Sequence, residues 1–169
     1  MLLLDPAQAE VELSGGYAPF ARITHLDLFG NFPTSLIPHL GLFPALTHLS
    51  LTDFFELGFV QATLRCYASL QVLFVVWTNS DDSDDADTDG DDADLERRVA
   101  DPRFCILKCA DFAADWVRSA RGGVDLWTRA ENRTRLRVLA QRIRWEAELQ
   151  RFDLNPEKPQ ARYIPMPHF

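Results

Sequence analysis

Two histidines and an aspartate occupy matching places in successive segments, ITHLDL at 23–28 and LTHLSL at 46–51, which puts His25 above His48 with Asp27 one step away. If the segments are neighbouring parallel strands, the imidazoles lie about 4.8 Å apart on one face. Two imidazoles and a carboxylate are zinc-ligand types, but a catalytic zinc centre needs a third good protein ligand and an activated water. The next segment, LQVLFV, places Val72 in that column. The column is therefore expected to be a solvent-facing ladder that contributes to a partner surface. Cys105 and Cys109 lack the second pair or nearby histidines of a structural zinc site and are expected as buried thiols.

The stretch DADTDGDDADLE, Asp85 to Glu96, spells an EF-hand calcium loop, with Asp85, Asp87, Asp89, Asp91 and Glu96 as candidate ligands and Gly90 as the turn residue. Asp92, however, stands where such a loop carries an apolar residue, and the entering segment FVVWTNSDDSD reads as a strand followed by polar coil. Residues 81–96 hold nine Asp and one Glu with no base. Mutual repulsion of these carboxylates favours an extended chain, so a disordered acidic insert is expected at 79–96, with only weak cation association. No specific metal site and no cofactor is expected.

The opposite charge collects further on. From Arg118 to Arg151 there are nine Arg against Asp125, Glu131, Glu146 and Glu148, a local net charge of +5. Such a helix could meet nucleic-acid phosphates. The overall charge of −8 and an acidic insert able to compete for the same arginines make nucleic acid the lesser expectation. Pairing of those arginines with Glu131, Glu146, Glu148 or the insert is preferred. Gly122-Gly123 lacks the Lys-Ser/Thr sequel of a phosphate loop and reads as a helix end and turn. No G-x-S-x-G elbow, H-E-x-x-H pair or glycine-rich nucleotide fingerprint occurs, so no enzyme is expected.

The elements that must position these residues follow from a repeat. FARITHLDL (Phe20 to Leu28), FPALTHLSL (Phe43 to Leu51) and YASLQVLFV (Tyr67 to Val75) share an L-x-x-L-x-L spacing in which Ile23, Leu46 and Leu70 are equivalent. A recurrence after 23 and then 24 residues lies within the leucine-rich-repeat range of roughly 20–29. Asn31 takes the repeat's asparagine place. Alternation along a strand sends Leu26 and Leu28 to the core and His25 and Asp27 to solvent. TSLIPHLGLF and ELGFVQATLRCYA are apolar enough to pack back over the sheet, the first less regularly because of Pro38. A fourth strand is expected at 103–107.

The fold class expected is α/β: a short leucine-rich-repeat solenoid of three to four parallel strands with a helical C-terminal cap. The repeats fill residues 1–109, the cap 110–152 and an extended proline-rich tail 153–169. The cap helices are expected at 111–120 and 125–150, with Val124, Trp127, Ala130, Leu139, Ile143 and Leu149 as one buried stripe. A chain of 169 residues, 47% hydrophobic, can bury one core. Three cysteines, an opening MLLLDPAQAE too short for a signal peptide and no membrane-length apolar run point to an intracellular protein, cytoplasmic or nuclear, with reduced thiols.

The segment ADPRFCILKCADFAADWVRSARGGVDLWTRAE resembles the C-terminal part of leucine-rich-repeat and F-box-type proteins of mushroom-forming fungi. The resemblance rests on Asp101, Pro102, Arg103 and Phe104, on Asp115 and Trp116, and on Ala120, Arg121, Gly122, Gly123, Asp125, Trp127, Arg129 and Ala130. Together with the T-H-L-x-L repeats it covers roughly residues 20–131. It implies a substrate-recognition tail of an F-box-type adaptor. No F-box-like helical segment precedes the repeats, so the chain reads as the terminal part of a longer solenoid.

The function expected is thus a non-enzymatic protein-binding module that uses its concave strand face. The outward residues are Thr24, His25, Asp27, Thr47, His48, Ser50, Val72, Phe74, Cys105 and Leu107, of which His25, Asp27, His48, Ser50, Val72 and Phe74 are expected to touch a protein partner. Self-association through the open first repeat is a further expectation, and no membrane contact is expected.

Overall fold

The structure, a computed structural model, describes residues 3–4, 18–78 and 88–153. Five parallel strands form one sheet in sequential order: β1 (Leu3–Leu4), β2 (His25–Phe29), β3 (His48–Thr52), β4 (Val72–Trp77) and β5 (Phe104–Lys108). Two 3-10 helices, Ala18–Arg22 and Thr34–Leu42, precede β2 and β3. The α-helices are α1 (Leu57–Cys66), α2 (Thr88–Val99), α3 (Phe112–Ala120) and α4 (Leu126–Asp153).

The apolar repeat sets the register. Leu26 pairs with Leu49, Leu49 with Leu73, and Leu73 with Phe104; the next rung on that face runs Leu28, Leu51, Val75, Ile106. Ile23, Leu46 and Leu70 lie at equivalent offsets ahead of their strands, as expected. All eight of these strand residues are fully or almost fully buried. Each contributes about 1.5–3 kcal/mol of transfer free energy. Their partners come from the segments between strands: Leu36, Ile37 and Leu40 of the second 3-10 helix, Phe59, Val60 and Leu64 of α1, and Val99 of α2. Pro38 keeps the first crossover 3-10 rather than α, as its sequence implied.

Strand exits repeat as well. Gly30 and Asp53, one repeat apart, both take positive φ, 90° and 53°. At Asp53 the carboxylate offsets that strain by accepting hydrogen bonds from the Thr78 amide and hydroxyl.

Arg103 locks the crossover between β3 and β4. Its guanidinium donates to the carbonyls of Leu64 (2.8 Å), Tyr67 (3.2 Å) and Leu70 (3.2 Å), satisfying groups at and just beyond the C-terminus of α1. Asp101 holds the fork in place, accepting from Arg103 Nε at 3.0 Å and Nη2 at 2.8 Å. Lysine keeps the charge and loses the planar fork. Arg103→Lys is therefore expected to lower unfolding free energy by about 1.5–3 kcal/mol, measured by urea denaturation.

Three expectations are corrected. Residues 88–96 are not disordered, for Thr88–Val99 is helical. The first repeat's edge is partly covered by β1, whose Leu3 and Leu4 pair with Asp27 and Leu28. The strand face opposite the leucine rungs is not open to solvent: α3 and α4 lie over it and build a second core from Val72, Phe74, Val76, Cys105, Leu107, Leu126 and Ala130.

Candidate functional site

α3 and α4 reach the second face because of how they begin and end. Asp111 caps α3, accepting from the Ala114 amide at 2.8 Å. Gly122, at φ 75°, and Gly123 end it, with Gly123 N–H donating to the Arg118 carbonyl at 2.9 Å. Asp125 then caps α4 through the Thr128 amide at 2.8 Å. Asp115, almost fully buried, ties the two helices together. It accepts from the Leu126 amide at 2.9 Å and pairs with Arg118 (3.0 Å) and Arg129 (3.2 Å).

Beneath these helices the polar column is buried. Asp27, Ser50 and Phe74 form one rung at 2%, 1% and 1% exposure, in place of the solvent-facing positions expected of them. Val72 is likewise enclosed. Burial pushes the Asp27 carboxyl above its ordinary range, against the hydrogen bond it accepts from Thr52 Oγ1 at 3.1 Å. Beside this rung lies a cavity of about 320 Å³, walled by Asp27, Ser50, Phe74, Asp115, Leu126 and Trp127.

His25 and His48 pair across β2 and β3 with stacked rings, centroids 4.2 Å apart and planes within 5°. Trp127 meets the edge of this stack, 5.0 Å from His25, and continues onto Phe74 at 4.9 Å. Glu131, one turn further along α4, brings Oε1 to 3.3 Å from His48 Nε2. Burial is the main cause holding both imidazoles below their usual pKa; Glu131 pulls the other way. The carboxylate beside the histidines is thus Glu131, 83 residues from His48 in sequence, and not the neighbouring Asp27. No local pattern marks it; only the one-turn spacing from Trp127 on an amphipathic helix hints at a shared face.

The other candidates resolve differently. Cys105 is buried, its thiol pushed up to about 12 chiefly by burial and further by Glu96, and Cys109 is buried and free, both as expected. Asp85 and Asp87 lie outside the described residues. Asp89 and Asp91 fall within α2 and not in a loop, and Glu96 is committed to the interior: it accepts from the Ile106 amide at 2.9 Å and pairs with Arg133 (3.0 Å) and Arg137 (2.9 Å). An EF-hand needs that glutamate as a bidentate ligand at the end of a loop. Of the α4 arginines, Arg133 and Arg137 thus hold Glu96 of the acidic segment and Arg142 holds Glu146 at 3.0 Å, as expected, while Arg129 holds Asp115. The chain matches no family model, no curated protein and no solved structure.

Outward, α4 differs from the single buried stripe expected of it. Ala130 and Thr134 face the sheet, whereas Leu136, Leu139 and Ile143 are 64%, 51% and 57% exposed, and Val124 and Leu149 are also at the surface. Spacings of three and four residues place Leu136, Leu139 and Ile143 along one outer line, opposite the docked side. By the helical step Arg135 lies beside this line, with Arg142 and its partner Glu146 along the same side, whereas Arg144 lies round toward the other side of the helix. Among the described residues no helix is long and apolar enough to cross a membrane.

Proposed function

We propose that the chain is a short leucine-rich-repeat solenoid whose strand face is closed by its own C-terminal helices, and that it serves as a non-enzymatic protein-binding module. The docking surface is the outer line of α4, Leu136, Leu139 and Ile143, in place of the strand face. What carries this reading is that α4 has two apolar sides and the sheet uses only one. An exposed apolar line on an amphipathic helix is a common anchor for a partner helix.

The partner fitted to it is an acidic amphipathic segment of another protein. Arg135 beside the line attracts a carboxylate, while a second copy of α4 offers along that side only Glu146, which Arg142 already holds. Nucleic acid is the weaker reading, because Arg133, Arg137 and Arg142 already hold carboxylates. The resemblance to F-box-type adaptors supports a recognition role of this kind.

A photo-cross-linking residue placed at position 139 of the full chain in cells, with position 65 as control, tests the assignment. The peptide captured at 139 should carry apolar residues at helical spacing with Asp or Glu beside them. Leu139→Asp should reduce capture through a neighbouring cross-linker at 143 by at least tenfold. Capture of nucleic acid, of the chain itself, or of the same peptides at 65 and 139 would overturn it.

A further inference from the structure

We propose that the cavity between the sheet and the helices α3 and α4, with Asp27 and Ser50 at its floor and aromatic rings around it, is a binding site for a small primary ammonium with an apolar tail. It is separate from the outer line of α4 and does not depend on it.

The cavity holds about 320 Å³, in the range of small-ligand sites. Three carboxylates and no base line it. Two of the three are committed. Asp115 is paired with Arg118 and Arg129, and Asp125 is held by the Thr128 amide and by the Ser119 hydroxyl at 2.9 Å. Asp27 differs. At 2% exposure it accepts from the neutral Thr52 hydroxyl, and no cationic side chain pairs with it among the described residues. Ser50, its neighbour on the rung, is equally enclosed, and its Oγ comes near enough to Asp27 to oppose the rise of its pKa but makes no hydrogen bond of normal geometry. A buried acid without a cation and a buried hydroxyl without a partner thus lie side by side at the floor of one cavity, and each is costly to leave so.

A primary ammonium supplies what both groups lack. Its charge offsets that of the carboxylate, and its three N–H groups can donate to Asp27 and to the Ser50 oxygen together. Burial pushes the Asp27 pKa up for want of such a partner, and an entering cation favours the charged form again. The walls suit the rest of the ligand. Phe74, Phe112, Trp116 and Trp127 line the cavity, so an ammonium gains further attraction from the rings while its tail leaves water. Two of these rings are steadied from outside the cavity, Trp127 by an edge-on contact with His25 at 5.0 Å and Phe112 by one with Phe29 at 5.4 Å. Trp116, 58% exposed, stands at the mouth. An anion would meet the uncompensated carboxylate, and a calcium-like ion would find too few oxygens not already committed.

The test is calorimetric titration of the full chain with 2-phenylethylammonium and benzylammonium, and with 2-phenylethanol and phenylacetate as neutral and anionic counterparts, at physiological ionic strength. At least one of the ammonium ions should bind one-to-one, about 10–100-fold more tightly than the alcohol, and phenylacetate should not bind. Asp27→Asn keeps the shape and the acceptor for Thr52 while removing the charge. It should bring the ammonium down to the affinity of the alcohol, with the alcohol's own affinity and the circular dichroism spectrum unchanged. Trp116→Ala, at an exposed position that spares the fold, should weaken the ammonium about 2–5-fold. The assignment is overturned if neither ammonium binds saturably, if the alcohol binds as tightly as the ammonium, if Asp27→Asn or Trp116→Ala binds the ammonium as the parent does, or if replacing Asp89, Asp91 and Asp92 by Asn removes the binding instead.

Discussion

Phe74→Ala is expected to lower unfolding free energy by about 3–5 kcal/mol, read as a fall in urea midpoint at unchanged slope. Phe74 is 1% exposed, packs edge-on to Trp127 at 4.9 Å, and shares its rung with Ser50 and Cys105. The backbone around it is held on both sides by strand pairing, so the walls cannot collapse into the space left by the ring. The cavity of about 320 Å³ beside it would enlarge, and cavity enlargement adds to the lost transfer energy. A strand face open to a partner predicts a different outcome, in which the same change leaves the midpoint unmoved and weakens only binding. A loss under about 1 kcal/mol would mean that α4 does not cover the sheet as described. Leu139→Ala supplies the contrast: at 51% exposure it is expected to shift stability by less than about 0.5 kcal/mol, and its effect belongs to partner capture.

The contrast between Phe74 and Leu139 also marks what the sequence makes legible. The leucine rungs were readable because a strand's period of two and a repeat of 23–24 residues coincide, leaving one register that buries every leucine. The other face was harder. His25, Asp27, His48 and Ser50 are polar, and alternation along a strand says only that they oppose the leucines, without saying what lies over them. α4 carries apolar residues on two sides, so its composition does not say which side docks. Trp127 and Ala130 decide it through contacts with β2, β3 and β4; those of Trp127 with His25, His48 and Phe74 span 102, 79 and 53 residues of sequence. β1 is two residues long and has no period to read. α2 was hidden by its charge: counted alone its aspartates suggest coil, yet Asp89, Asp91 and Asp92 stand in its first turns and Arg97 and Arg98 in its last, an order that complements the helix dipole. Leu95 and Val99 then dock it on the leucine face.

Glu96→Gln is expected to destabilise the fold by about 2–3 kcal/mol whether or not calcium is present. The carboxylate joins three elements, accepting from the Ile106 amide of β5 while Arg133 and Arg137 of α4 close on it from the other side. Its side chain is 11% exposed, and those of Arg133 and Arg137 are 45% and 27%, so the loss is set below the 3–5 kcal/mol typical of breaking a fully buried pair. Glutamine can still accept from the Ile106 amide, but it leaves two guanidinium groups without their charge partner. Glu96→Ala removes that acceptor too and is expected to cost about 1–3 kcal/mol more, because a buried N–H is then left unpaired. Urea melts of both variants in chelator and in excess Ca2+ separate the two readings of Asp85 to Glu96. A calcium loop predicts that the parent gains stability with calcium and that Glu96→Gln loses only that gain. A carboxylate built into the joint between β5 and α4 predicts equal losses in both buffers, small salt dependence because the carboxylate is desolvated, and a helix α2 that frays with the joint.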